Sequence, residues 1–165
     1  MALLISSGNY SLSWDTPISS IIRDDFVLPD PYFTDHVTIE DALSHRTGMP
    51  RHDFSYGGIN EKGKKRGVVD GVRSLRNLPL TKGLRTTFQY CNLMFVVASH
   101  VIETLTGVWL GDFLRERIWE PLGMNSTVCL LPQPPFFDAA ILDPRTPAIL
   151  VHGFSVSQLA MILNF

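Results

Sequence analysis

Tyr90 is the side chain whose type and neighbours best suit acid–base chemistry, and it stands in the triplet Tyr90-Cys91-Asn92. A phenol acts as a general base only when its ionised form is favoured, because about one unperturbed phenol in a thousand is ionised at neutral pH. Closing that gap of about 3 pH units takes roughly 4 kcal/mol, which a buried lysine or arginine a few ångström away can supply. The triplet therefore predicts proton transfer only where a cation lies close to the phenol.

Each residue around the triplet also has a purely structural interpretation. A tyrosine at a helix start often covers a core with its hydroxyl in water, and Asn92 could be a turn residue that bonds to the local backbone. Cys91 would be reactive if exposed beside a helix start, but a buried, inert cysteine is the commoner state. For His45 we expect a structural role, because the dipole and the free carbonyls at a helix C-terminus favour histidine there.

The elements that must position these residues are predicted to be mainly helical. Apolar side chains recur at steps of three and four over residues 90–106, which predicts a helix buried on most sides and ended by Gly107. Residues 108–119 predict an amphipathic helix, and residues 68–78 return to helical spacing before Pro79. Little in the chain alternates as a half-buried strand would.

Shorter helices are predicted nearer the N-terminus. Residues 2–7 resemble the last turns of an apolar helix ended by Gly8. Residues 17–22 predict a short helix that starts at a proline and is capped by Asp15 or Thr16.

A capping box is predicted where Thr38 precedes Asp41 by three residues. The helix that it starts should run over residues 39–45. The glycine-rich, basic residues 51–67 are then expected to form a long loop.

Several motifs occur in one order along the chain. They are a Trp-Asp-Thr-Pro segment at residues 14–17, Leu-Ser-His-x-x-Gly at 43–48, Tyr-x-Asn at 90–92 and Trp-Glu-Pro-Leu-Gly-Met at 119–124. Together they resemble the serine β-lactamase and penicillin-binding-protein family, in its class C and β-lactamase-related branch, and in particular fungal members of that branch. The resemblance covers roughly residues 1–126.

The resemblance implies a serine hydrolase mechanism. In that family the serine of a Ser-x-x-Lys motif is the nucleophile, and its lysine is the cation that activates a tyrosine. Carried over by position, Tyr90 would be the catalytic proton shuttle and Asn92 would bind the substrate amide. The intact family acts by serine acylation on β-lactams, D-alanyl peptides, esters or amides, so the implied partner is a small molecule or a peptide. No metal and no other cofactor is implied.

The chain departs from the family pattern in two places. No serine has a lysine three positions later, and no Lys-Thr-Gly or His-x-Gly motif follows Tyr90. The Lys-Arg-Gly triplet at 65–67 precedes the tyrosine and is interpreted as coincidence. In the family the Ser-x-x-Lys motif lies upstream of the equivalent of Met1. We therefore expect a mainly α fragment of an α+β β-lactamase/transpeptidase-like fold, namely its helical lobe, with most of the antiparallel sheet missing.

The composition changes near the end of the chain. Residues 127–147 contain five prolines and no lysine, which predicts a divergent tail, 127–165, behind a partial domain, 1–126. Residues 155–165 predict one more helix. The Gly-Phe-Ser-Val-Ser segment at 153–157 is one residue off a Gly-x-Ser-x-Gly nucleophile elbow, but no alternation of strands and helices precedes it, and we assign it no chemistry.

The bulk composition excludes several classes of function. Of 165 residues, 45% are hydrophobic and 18% charged, as expected for a globular domain. The net charge of -2 gives no strong field for nucleic acid or an anionic membrane, and no apolar run is long enough for a membrane span. The basic run at 62–66 predicts a solvated loop. Two cysteines without C-x-x-C spacing give neither a disulfide framework nor a metal site, and no pattern specifies a compartment or an oligomeric state.

The sequence supports two hypotheses about function. The first is a truncated β-lactamase-related serine hydrolase that is inactive alone, because the nucleophile and its lysine are absent. The second is a non-catalytic binding or interaction protein derived from the same fold. The reading frame upstream of Met1 distinguishes them, and so does folding. A helical lobe without its sheet should aggregate or be molten, whereas a sharp cooperative melt would count against the fragment.

Overall fold

The computed structural model describes residues 1–55, 63 and 67–127 of the chain. These residues belong to two compact units, Met1–Gly107 and Val108–Phe165. The predicted tail, its C-terminal helix, the Gly-Phe-Ser-Val-Ser segment and nearly all of the basic run lie outside the described residues. The predicted division into a partial domain and a tail therefore stays a prediction.

The first unit is helical, as the periodicity predicts. In the part of it that the structure describes, no strand occurs, and a single antiparallel bridge pairs Pro17 with Thr38. The α-helices are α1 (Ala2–Ser7), α2 (Pro31–His36), α3 (Ile39–Leu43), α4 (Val68–Ser74) and α5 (Leu93–Thr106). Single 3-10 turns lie at Ile18–Ser20, Asp53–Ser55 and Leu75–Asn77.

The predicted helix ends are confirmed at three places. Gly8 ends α1 with φ 70° and Gly107 ends α5 with φ 69°, both in the left-handed region that glycine enters without a Cβ clash. At the start of α3 the capping box is complete, since the Asp41 amide donates to Thr38 Oγ1 over 3.2 Å and the Thr38 amide donates to Asp41 Oδ2 over 3.0 Å. These contacts satisfy backbone groups that the helix ends leave free.

One prediction for the N-terminal part is wrong, and one helix there is missing from the predictions. The helix expected over 17–22 is one 3-10 turn, Ile18–Ser20, and the Ile18 amide donates to Val37 O over 3.0 Å. Helix α2 was not predicted, although its start has a clear signal. The side chain of Asp30 accepts from the Tyr32 amide, and a proline occupies the first helical position.

Helix α5 begins at Leu93 and not at Tyr90, so Tyr90 and Cys91 precede the helix and Asn92 is its N-cap. The amides on either side of the tyrosine donate to His45, that of Gln89 to the carbonyl and that of Cys91 to Nδ1. This places the tyrosine on a segment fixed by tertiary contacts.

The other two long helices that the sequence predicts are present over nearly the whole of their predicted ranges. Helix α4 continues as the 3-10 turn Leu75–Asn77 and so fills the predicted range. In the second unit, α6 (Leu110–Leu114) continues as a π-helical turn, Arg115–Trp119. No single helix among the described residues is long and apolar enough to cross a membrane. Helix α5 and the α6 segment, taken together as a bent pair, have the length and apolar composition of a membrane span.

The core of the first unit is built around α5, which packs against α3 and α4. Fully buried apolar side chains from α4, from α5 and from the loops that precede these helices fill it, including Phe26, Met49, Val72, Met94 and Val97.

Asp25 ties the loop before α2 to helices α4 and α5. Its Oδ2 lies 2.7 Å from His100 Nε2, and its Oδ1 accepts from Arg73 Nε over 2.6 Å. Burial alone would raise the pKa of Asp25, but the hydrogen bonds from His100 and Arg73 outweigh it and lower the pKa. The carboxylate is therefore held in its charged form beside the helix that follows Tyr90.

Candidate active site

Tyr90, Asn92 and Asp53 form a short hydrogen-bond chain at the start of α5. The Tyr90 hydroxyl donates to Asn92 Oδ1 over 2.8 Å, and Asn92 Nδ2 donates to Asp53 Oδ1 over 3.4 Å. Asn92 is fully buried. Because an ionised carboxylate can only accept, Asp53 fixes the Asn92 amide with Nδ2 toward itself and Oδ1 toward the phenol.

Arg51 brings a cation to the tyrosine. Its guanidinium carbon lies 5.0 Å from the centroid of the Tyr90 ring, and its Nε forms an ion pair with Asp53 Oδ2 at 3.1 Å. A guanidinium over a phenol ring is attracted by the negative face of the ring. Asp53 thus holds both Asn92 and Arg51, and these two neighbours of the site were not predicted.

The Tyr90 hydroxyl is a hydrogen-bond donor in this arrangement. A phenolate in the same place would face Asn92 Oδ1 as a second acceptor, and the two oxygens would repel each other. Tyr90 can therefore accept a proton only after its hydroxyl has left Asn92 Oδ1. The observed geometry is that of a hydroxyl fixed as a donor.

The carboxylate of Asp41 anchors the segment that carries Tyr90. It is fully buried, and it accepts from Arg46 Nε over 2.8 Å and from Arg85 Nη2 over 2.8 Å. Burial alone would raise the pKa of Asp41, but hydrogen bonds from Arg85, Thr38 and Arg46 outweigh it and lower the pKa. A charged Asp41 therefore joins the start of α3 to the backbone segment that leads to Tyr90.

Backbone bonds continue this connection along two segments, the histidine loop (residues 45–48) and the tyrosine segment (residues 81–91). The Arg85 amide donates to Arg46 O over 2.8 Å, and the Thr81 amide donates to Gly48 O over 3.1 Å. Gly48 has φ 79°, and a Cβ at this position would lie 2.2 Å from Lys82 O. Only glycine allows the two segments to approach this closely.

His45 packs directly against Tyr90, with ring centroids 4.5 Å apart. Its Nδ1 accepts from the Cys91 amide over 3.2 Å, and burial lowers its pKa. The predicted structural role therefore has a different basis from the one expected. The ring accepts from the tyrosine segment, and it is not a cation held by the dipole of α3.

Cys91 is fully buried, and burial raises its pKa to about 11. The protonated thiol is therefore favoured at neutral pH, and the expected buried state of this cysteine is confirmed. Among the described residues no group of three or more His, Cys, Asp or Glu side chains is placed to hold a metal ion.

Exchanging the amide and the carboxylate tests the contact between Asn92 and Asp53. Asn92→Asp places two carboxylates in contact inside the protein and should lower the free energy of unfolding by about 1–3 kcal/mol. Adding Asp53→Asn restores a donor and should recover most of that loss. Urea denaturation of both single variants and of the double variant measures it, and strictly additive losses would show that the two side chains do not interact.

A model of the β-lactamase family matches residues 1–153 of this chain. The chain belongs to the β-lactamase family. The chain is 53% identical over 129 residues to the unguisins hydrolase ungD' of Aspergillus campestris. This match covers 77% of the chain and 24% of that protein. The chain is 27% identical over 128 residues to penicillin-binding protein 4 of Amycolatopsis lactamdurans, covering 77% of the chain and 32% of that relative.

A solved structure shows the same fold. The D-amino acid amidase from Ochrobactrum anthropi SV3, complexed with D-phenylalanine, superposes with a TM-score of 0.57 at 29% identity, over 74% of this chain and 38% of the amidase. The predicted resemblance to serine hydrolases of the β-lactamase and penicillin-binding-protein type, with fungal relatives, is thereby confirmed. The β-lactamase-family chain spans about a quarter of the length of the fungal relative.

Proposed function

We propose that this chain supplies one wall of a β-lactamase-type serine hydrolase site, in which Tyr90 is the proton shuttle and Asn92 binds the substrate amide. The hydrogen-bond chain from Tyr90 through Asn92 to Asp53 carries the proposal. It supports a phenol and an amide that are oriented before substrate arrives, which is what a site for acyl transfer requires.

The geometry suggests how substrate binding and proton transfer are coupled. Asn92 is fully buried and its Oδ1 is occupied by the Tyr90 hydroxyl. A substrate amide reaches Asn92 only when that hydroxyl turns away, and the same movement frees the phenol oxygen to accept a proton. Substrate binding would therefore switch Tyr90 from donor to acceptor.

We infer that the bond cleaved is an amide. The fungal relative is a hydrolase of unguisins, and the structural neighbour is an amidase for D-amino acids. Tyr90 would then take the proton of the attacking serine hydroxyl and give it to the leaving nitrogen. The serine and its activating lysine are not in this chain, because no Ser-x-x-Lys occurs in its sequence.

The 165-residue chain alone should therefore show no turnover. Incubation with nitrocefin, a p-nitrophenyl ester and D-phenylalanine amide should release product no faster than buffer does. Turnover that disappears in Tyr90→Phe would overturn this expectation, because it would require a nucleophile within the chain.

If the reading frame upstream of Met1 encodes a Ser-x-x-Lys motif, the longer protein tests the role of Tyr90 itself. Tyr90→Phe should then lower kcat by about 10²–10⁴-fold, the usual contribution of a general acid–base group. Tyr32→Phe is the matched control, since Tyr32 is exposed on α2, and it should leave kcat unchanged. Equal rates for the two variants would refute the proton-shuttle role.

The missing Ser-x-x-Lys also favours a second candidate, a non-catalytic binding protein that keeps the old tyrosine wall. Two observations separate it from the enzyme. An upstream frame without Ser-x-x-Lys, together with a sharp cooperative melt of the monomeric chain, would support the binding protein. Aggregation or a molten state would support a helical lobe that is incomplete alone.

A further inference from the structure

We propose that His45 is a positioning residue for Tyr90, and that it holds the tyrosine only while its imidazole is neutral with the proton on Nε2. The catalytic meaning of this inference rests on the proposed function. The positioning itself is a property of the chain and can be measured without turnover.

The backbone on both sides of Tyr90 is bound to His45. The Gln89 amide donates to His45 O over 2.7 Å, and the Cys91 amide donates to His45 Nδ1 over 3.2 Å. One residue therefore receives the amide protons immediately before and after the tyrosine. No other residue in the described part of the chain is shown to bond to the backbone on both sides of Tyr90.

The imidazole ring also fixes the Tyr90 side chain. The two ring centroids lie 4.5 Å apart at an interplanar angle of 43°. Phe88 and Phe95 contact the same imidazole, with centroids at 5.5 Å and 5.2 Å. His45 is itself buried, and its imidazole contacts three aromatic rings, with the tyrosine on one side.

The contact with the Cys91 amide requires a neutral ring. Nδ1 must accept, so the single proton of the neutral imidazole lies on Nε2. A second proton on Nδ1 would face the Cys91 N–H as donor against donor and break the bond. Burial lowers the pKa of His45 and so favours the form that holds the tyrosine.

Other titratable and charged groups lie on the elements that surround His45. They are Tyr90, Cys91, Lys82 and Arg85 on the tyrosine segment, Arg46 on the histidine loop, Glu40 and Asp41 on α3, and His100 and Glu103 on α5. His100 is bonded to Asp25 through Nε2. Each histidine has its own NMR signals, so the signals of His100 and His45 can be followed separately as the pH changes.

The linkage has a definite sign. The pKa of His45 is lower in the folded chain than its ordinary value of 6.5, so the unfolded chain binds the extra proton first. Stability linked to His45 is therefore complete above pH 6.5 and falls as pH drops through the folded value. Asp25 and Asp41 lose their contributions to stability over a lower pH range, because their pKa values are below 3.8.

Replacing His45 with asparagine separates the effect of the hydrogen-bond acceptor from the effect of a titrating ring. The asparagine Oδ1 branches from Cγ as the histidine Nδ1 does, so His45→Asn can keep an acceptor for the Cys91 amide without a titrating ring. His45 has φ 57°, and asparagine adopts this left-handed conformation more readily than most residues. His45→Phe keeps a ring but offers no acceptor.

The test is NMR of the isotopically labelled 165-residue chain from about pH 7.5 to about pH 4.5. In the wild type, the Cys91 amide and Tyr90 ring signals should move together with the His45 imidazole signals, and the hydrogen-exchange protection of the Cys91 amide should fall roughly five- to tenfold. In His45→Asn that transition should vanish, with protection retained. In His45→Phe protection should be low throughout.

Either of two results would overturn the proposal. One is a Cys91 amide and Tyr90 ring that do not respond while the His45 imidazole titrates in the wild type, a measurement that needs no variant to fold. The other is an unchanged transition in His45→Asn. A chain that passes this test while Tyr90→Phe has no effect on a complete enzyme would keep the positioning role and refute the proposed function.

Discussion

Asp41→Asn should lower the free energy of unfolding by about 2–4 kcal/mol. Removing one partner of a buried ion pair costs about 3–5 kcal/mol, and we discount this because Arg46 and Arg85 reach solvent. Asparagine keeps the size of the side chain but loses the charge that binds both guanidinium groups. Urea denaturation at neutral pH measures the difference.

The pH dependence of this variant identifies the cause. The pKa of Asp41 is lowered below its ordinary value of 3.8, so its stabilisation is complete above that pH and is lost as pH falls through the folded value. Wild type and Asp41→Asn should therefore converge in acid. Asp35→Asn is the matched control, since its pair with Arg23 is exposed and should contribute at most about 1 kcal/mol. Equal losses in the two variants would contradict the anchoring role.

Gly48→Ala should cost about 3 kcal/mol or more and should displace the tyrosine segment. Two terms add here, because the left-handed backbone at φ 79° costs a non-glycine residue about 1–2 kcal/mol, and the new Cβ would meet Lys82 O at 2.2 Å. That oxygen belongs to the backbone, so the clash cannot be relieved by a rotamer change.

Gly8→Ala isolates the first term. Gly8 has φ 70° with no atom within 4 Å of an added Cβ, and its replacement should cost only about 1–2 kcal/mol. Thermal melts of both variants give the comparison. A Gly48→Ala protein as stable as Gly8→Ala would show that the histidine loop and the tyrosine segment do not need this close approach.

Local signals in the sequence were sufficient for most helices. The periodicity of α5 and the glycine after it, and the capping box at Thr38 and Asp41, are decided within a few residues and appear as predicted. The Asp30-Pro31 start of α2 carries an equally local signal, which a systematic search for N-caps would have found.

The candidate site could be predicted only in part. Tyr90 and Asn92 were predicted by resemblance to the family, whereas Asp53 contacts Asn92 across 39 residues of sequence. The residues before α5 are also held by a distant partner, since the amides of Gln89 and Cys91 donate to His45. Periodicity contains no information about such distant partners.

The family motif around residues 43–48 acquires a physical explanation from the structure. Its histidine accepts from the backbone beside Tyr90, and its glycine lets the tyrosine segment approach. The motif is thus part of what positions the tyrosine, although none of its residues was predicted to take part in the chemistry.

We propose that this chain holds an ordered tyrosine wall but no nucleophile for acylation. Intact-mass spectrometry after incubation with a penicillin tests it most directly, because a family serine would retain the opened β-lactam as a covalent ester. We predict that the mass of the 165-residue chain stays unchanged. A stoichiometric adduct that is absent in Tyr90→Phe would show that the chain contains a nucleophile.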